Sequence, residues 1–217
     1  MHVIQTYLEG EPVQPAAPFG TPEAVWEQSR GLARQGHWVS IVAPAGGRLD
    51  GLRDLGLERL DADFDHDYTL PVHLDAAAEG RRFAGELEIP LSTSVHWLSA
   101  VGVDLYFLSN DLLDRAPGAP APGLDDQDLR LLQTLAYQVD TIRFVRSYFE
   151  HEHAEIRAHD PLDPYLLSAG FATDHTKHVV GALAQGPSDS HVTRPEHRPV
   201  VAQLLGLLEG TDRAAAG

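Results

Sequence analysis

The residues best suited to chemistry stand in the last third of the chain. There Glu150-His151-Glu152-His153-Ala154-Glu155-Ile156-Arg157-Ala158-His159-Asp160 mixes imidazoles with carboxylates. If this run is helical, His151, Glu155 and His159 are four residues apart and share one face. Asp174-His175-Thr176-Lys177-His178 adds two histidines three apart and an acid four before His178. Imidazole and carboxylate together suit zinc, iron or manganese, and spacings of three and four let two ligands converge on one ion. The pattern points to a divalent metal as cofactor, with His151, Glu155, His159, Asp174, His175 and His178 as its ligands if the two segments meet. A solvated helix face is the competing reading, because an acidic chain with 12 histidines brings several of them together by composition alone.

Two loops offer other chemistry. Thr21-Pro22-Glu23 is a helix start, with a hydroxyl N-cap, proline at the first helical position and an acid in the first turn. A helix amino terminus facing the Gly20 loop is an anion site in physical terms, since free N–H groups and the helix dipole point at it. The apolar run Val103 to Leu108 ends in the polar loop Ser109-Asn110-Asp111-Leu112-Leu113-Asp114-Arg115. Ala45-Gly46-Gly47 is an ordinary turn after a strand.

The elements that must position these groups follow from periodicity. Val3 to Leu8 reads as a strand, followed by a proline-rich loop. A helix runs from Thr21 to about Gln35 with Val25, Ser29 and Leu32 on one face, and Gly36 ends it. His37 to Val42 is a second strand; strand-helix-strand at this spacing implies a right-handed crossover and a parallel sheet. Arg48 to Leu60 has a weak helical pattern. Tyr68 to Leu74, Phe83 to Ile89 and Thr93 to Leu98 are strand-like, and Val103 to Leu108 reads as a strand buried on both faces. Ala116 to Gly123 is a proline-rich stretch. The acids Asp125, Asp126 and Asp128 then cap the longest helix, which repeats Leu132, Leu135, Val139, Ile142, Val145 and Phe149 every three or four residues. Gly186 to Pro199 is a loop, Val200 to Leu208 an amphipathic helix, and Gly210 to Gly217 a disordered tail.

Composition excludes several classes. A formal charge of -16 on 217 residues repels nucleic-acid backbones and anionic lipid. Without cysteine there are no disulfides, thiolate metal sites or cysteine nucleophiles. No leader pattern opens the chain and no run approaches the roughly 20 apolar residues of a membrane span, so a soluble cytoplasmic protein is expected.

The order of strands, together with particular residues, resembles the amino-terminal domain of glycogen and starch synthases, GT-B glycosyltransferases. Glu9 with Pro12 three residues on, the helix leading to Gly36-His37, the strand ending at Pro44, and the strand closing on Asp114-Arg115 all fit that family across residues 1 to 145. The resemblance implies a single Rossmann-like α/β domain over 1–149, its mainly parallel sheet flanked by helices. A helical, His-rich extension would follow over 150–209, and a disordered tail over 210–217. It implies ligand contacts at Glu9, Phe19, Gly20, Glu23, Asn110, Asp114 and Arg115. The family's His-Ala-His-Asp places catalytic residues at His159 and Asp160, with Arg157 standing for the first histidine. Ala17 occupies the position of the family's loop lysine, and Phe19-Gly20 replace its paired glycines, which removes charge complementarity to a nucleotide phosphate. The resemblance covers the family's amino-terminal domain alone, so a domain standing without the carboxy-terminal nucleotide-sugar domain is expected. The expectation is a domain inactive as an isolated monomer that transfers or binds sugar with a separately encoded partner or as an oligomer. A metal- or histidine-dependent enzyme and a non-catalytic interaction protein are the alternatives.

Overall fold

The computed structural model of the chain describes residues 1–8, 21–78, 81–115, 126–159 and 163–181. Strand β1 (His2–Thr6) leads to helix α1 (Glu23–Arg34) and strand β2 (Trp38–Pro44). A short helix α2 (Leu49–Arg53) and a two-residue strand β3 (Glu58–Arg59) follow, so the weak helical pattern over Arg48 to Leu60 yields one turn and an edge strand. The three strand-like runs that follow become one long hairpin, β4 (His66–Ala78) and β5 (Arg81–Ala100). Strand β6 (Val103–Ser109), helix α3 (Asp126–Tyr148), strand β7 (Ala154–Ala158), helix α4 (Asp163–Gly170) and strand β8 (Lys177–Gly181) complete the described chain.

The main sheet has the order β3-β5-β6-β2-β1-β7-β8. From β6 to β8 the neighbours are parallel, and on the other side β5 pairs antiparallel with both β6 and β3. This is the mixed α/β class with a mainly parallel sheet expected from the sequence. Alternation along the strands divides the core between two faces. Val39, Ile41, Ala43, Val103, Leu105 and Phe107 pack with Val25, Trp26 and Leu52 of the first two helices. Ile4, Val42, Tyr106, Leu108 and Ile156 pack with α3 and with Leu167 of α4. Each such buried Val, Leu, Ile or Phe side chain contributes about 1.5–3 kcal/mol, so helices on both faces are what make a parallel sheet stable.

Local chemistry explains the ends of α1. Gly36 takes φ +84, its N–H donates to Ala33 O and the His37 N–H to Leu32 O; this left-handed closure favours glycine and stops the helix just before β2. The amino end differs from expectation. Pro22 is the capping residue and no side chain caps the helix. Thr21 is instead fully buried, its Oγ1 accepting a 3.4 Å hydrogen bond from the Tyr7 hydroxyl. The hydroxyl ties the helix entry to the end of β1 rather than to its own helix.

The long helix also exceeds its sequence pattern. Leu132, Leu135, Val139, Ile142, Val145 and Phe149 are all buried as expected, but so is every residue from Thr134 to Ile142. The helix is therefore enclosed on all sides over this span, and Tyr137 donates from within it to Val42 O at 2.8 Å.

The largest correction concerns residues 150–181. They are not a helical extension beyond a boundary at 149. Ala154–Ala158 is an inner strand, paired parallel with β1 on one side and β8 on the other. Its polar residues are accommodated because Glu155 and Arg157 pair with each other at 2.6 Å. Lys177, the single lysine of the chain, anchors the start of β8. Its Nζ is buried and donates to Phe149 O, Glu152 O and Thr176 Oγ1 at 2.8–2.9 Å, a cation placed on the carboxyl end of α3. The sheet is thus one unit through Gly181. The proline-rich stretch, the Val200 to Leu208 helix and the tail lie outside the described residues.

Candidate functional site

In an open α/β sheet, ligands bind beyond the carboxyl ends of the strands where successive connections leave for opposite faces. Here that point lies between β1 and β7: β1 connects to α1 on one face, and β7 to α4 on the other. His159 follows the last residue of β7 at this position. Its N–H donates to Thr6 O at 3.0 Å, continuing the strand pairing by one residue.

The His159 ring is held from below. Its Nε2 lies 2.7 Å from Gln5 Oε1, Gln5 Nε2 donates to Ser29 Oγ, and Ser29 Oγ donates to Val25 O at 2.8 Å. Gln5 and Ser29 are fully buried. Burial, helped by the neighbouring Arg157 guanidinium, pushes the His159 pKa down to about 4. The ring is neutral at physiological pH, and the chain that orients it is made of Gln5 from β1 with Ser29 and Val25 from α1.

A second polar assembly lies beneath the loop after β6. Asp140 of α3 is fully buried; its Oδ1 is 2.7 Å from His66 Nε2, and its Oδ2 accepts from Thr93 Oγ1 at 3.0 Å and Asn110 Nδ2 at 2.9 Å. Asn110 Oδ1 accepts from the Leu112 and Leu113 N–H groups. Burial and the adjacent Asp140 carboxylate push the Tyr68 phenol well above its usual range. Asn110 therefore shapes the loop from inside.

Asp114 is likewise engaged by the protein. Its Oδ2 accepts from Ser109 Oγ at 2.6 Å and its Oδ1 from the Gly47 N–H at 3.2 Å. Gly47 has φ +72, and a Cβ there would meet Asp114 O at 3.2 Å, so the glycine turn and the Asp-Arg loop are built to fit each other. Arg115 is exposed with Nε donating to Asp111 O at 3.3 Å, and Glu23 is exposed in the first turn of α1. Asn110, Asp114, Arg115 and Glu23 all stand toward the carboxyl side of the sheet. Glu9, Phe19, Gly20 and Asp160, with Ala17, lie outside the described residues.

The metal arrangement expected from helical spacing does not form, because the residues that would align are in a turn and a strand. His151 is 90% exposed beside Glu150. Glu155 and His178 occupy facing register positions on β7 and β8, but Glu155 is paired with Arg157. His175 and His178 are exposed. Asp174 accepts from the Thr176 N–H and hydroxyl; burial alone would raise its pKa, but these bonds and the Lys177 and Arg146 charges hold it below the usual carboxylate range. Among the described residues no group of three or more His, Asp or Glu side chains is placed to hold a metal ion.

Gln5, Ser29, His66, Thr93 and Asp140 were not singled out as site residues from the sequence. Gln5 in an apolar strand, Ser29 on an apolar helix face and Asp140 between Val139 and Ile142 are polar residues at core positions, and that misplacement was the available signal.

No protein-family model and no curated protein matches the chain. Among solved structures, the catalytic domain of starch synthase IV from Arabidopsis thaliana, bound to ADP and acarbose, is similar at 13% identity, with a TM-score of 0.48 over 82% of this chain and 32% of that one. The chain spans about a third of the length of that protein. No helix among the described residues is long and apolar enough to cross a membrane.

Proposed function

We propose that this protein is a glycogen/starch synthase-like glycosyltransferase domain that binds the sugar portion of a ligand at the carboxyl edge between β1 and β7. The observation that carries the reading is His159, a neutral and oriented imidazole at the sheet's topological switch point. The -16 charge and the alanine at position 17 disfavour a diphosphate and favour an uncharged glycan. Sugar transfer requires a closed cleft and positive charge on the departing diphosphate. The described sheet would form one wall of such a cleft, with the other provided by a partner protein or a second copy of this chain.

Thermal unfolding with maltooligosaccharide, with ADP-glucose and with no ligand tests the reading. At a hundredfold excess over Kd, binding adds about 2.7 kcal/mol, about 5–10 °C for a domain of this size. Maltooligosaccharide is expected to raise the Tm of the wild type and not of His159→Ala. Absence of any shift with the glycan would overturn the sugar reading and leave an interaction domain. Light scattering and affinity co-purification test the second wall, with a dimer or a stoichiometric partner as the expected result and a partnerless monomer opposing it.

A further inference from the structure

We propose that Ser29 and Gln5 are positioning residues that hold the His159 imidazole as its Nε2–H tautomer, so that the ring offers Nδ1 as a lone-pair acceptor and the site selects a hydroxyl rather than a phosphate. The ligand class rests on the sugar-binding reading; the tautomer does not.

The direction of the hydrogen-bond chain follows from its far end. Val25 O is a backbone carbonyl and can only accept, and Ser29 Oγ stands 2.8 Å from it. A separation that short between two oxygens needs a proton, and the serine hydroxyl has only one. With that proton committed, Ser29 Oγ meets Gln5 as an acceptor, which requires the amide nitrogen on that side. The other end of the amide is then its carbonyl oxygen, and it is this Oε1 that faces His159 Nε2 at 2.7 Å. An acceptor opposite a ring nitrogen requires that nitrogen to carry the hydrogen. Reversing the amide would place the two proton-poor oxygens of Ser29 and Val25 at 2.8 Å, with both residues buried.

One buried hydroxyl in α1 thus determines which nitrogen of His159 is basic, through a glutamine of β1. A neutral imidazole with its single N–H turned into the protein has no charge and no ring donor to offer a phosphate. It can accept from a hydroxyl. The neutral state is supported by the burial that lowers the ring's pKa. Neither Gln5 nor Ser29 needs to touch the ligand for this selection.

Long-range ¹⁵N–¹H spectra of the histidine rings at neutral pH test the proposal, with His159→Gln assigning the signal. The wild type is expected to show His159 as one tautomer, protonated on Nε2. Gln5→Leu removes the acceptor and is expected to bring Nδ1–H to a comparable population. Ser29→Ala, the milder change, frees the amide to reverse and is expected to give a smaller shift the same way. Gln5→Glu sets a carboxylate against Nε2 and is expected to raise the His159 pKa by about 1–3 units. A wild-type ring protonated on Nδ1, or a tautomer unchanged in both Gln5→Leu and Ser29→Ala, would overturn the relay. Maltooligosaccharide is expected to move the Nδ1 signal and inorganic phosphate to leave it in place. The reverse pattern overturns the ligand class, and a locked tautomer with no response to the glycan overturns the sugar reading alone.

Discussion

The two polar assemblies of this domain are built from the same kinds of residue and end differently. Around Asp140 of α3, the partners come from β4, β5 and the loop after β6, and both carboxylate oxygens are satisfied from inside. Around His159, the chain begins at a helix carbonyl, passes through Ser29 and Gln5, and ends on a half-buried imidazole at the strand ends. A closed network holds elements together, and a chain with one end at the surface orients a group for something else. The difference distinguishes the two assemblies without reference to the residue types, since both contain a histidine, and it is the basis for proposing a ligand role for one and not the other.

Substitution at the closed network should have the largest effect on stability. Asp140→Ala removes the acceptor shared by His66, Thr93 and Asn110 and is expected to cost about 3–5 kcal/mol in urea unfolding. A loss below about 1 kcal/mol would break the distinction. Its folded fraction should still bind glycan.

pH sharpens the comparison next. Burial lowers the pKa of His159 to about 4. His2, stacked on Trp38 at the opposite edge of the sheet, is held at about 4 by burial and by the nearby Lys177 charge. Both folded values lie below the unfolded value of about 6.5, so unfolding takes up protons in this window and stability falls as pH drops from about 6.5 to about 4. The slope from the two groups is at most about 2.7 kcal/mol per pH unit. Replacing His2 with Phe should remove about half of it, and an unchanged slope would show that its folded pKa is not lowered.

Gln5→Leu opens the surface-ended chain and should cost about 1–2 kcal/mol, less than Asp140→Ala, while weakening glycan binding about twofold, as expected when half of the rings carry the wrong tautomer. Equal stability losses at the two sites would erase the contrast. The smallest effect belongs to a position remote from both. Val101, in the two-residue turn between β5 and β6, has φ 54 and is 70% exposed. A β-branched residue is strained there, so Val101→Asn should raise stability by about 1 kcal/mol and leave glycan binding as it is.

Much of the scaffold was legible from local pattern. α1 and its glycine stop, β2, β6 and the apolar stripe of α3 each carry a period that one segment can display alone. β7 was not: Ala-Glu-Ile-Arg-Ala alternates apolar and polar residues, but its two charged side chains make it read as too polar for an inner strand until their partners are known. Glu155 and Arg157 neutralise each other, and His159 is received by a glutamine 154 positions earlier. A helix over that segment would align the metal ligands, but a strand and a turn pull them apart. His159, reached from the sequence by two separate routes, is the candidate whose place in the fold suits a ligand.

By itself the sequence determined the α/β class, the parallel start of the sheet, the net acidity of the chain and the few residues capable of acid-base chemistry. Only the tertiary structure decided which of them meet. Hydrophobic periodicity is a local property, written within a turn or two of each residue, whereas the orientation of His159 depends on β1, α1 and β7 arriving together. A proton's position on an imidazole is set by neighbours in space, and no local spacing encodes it.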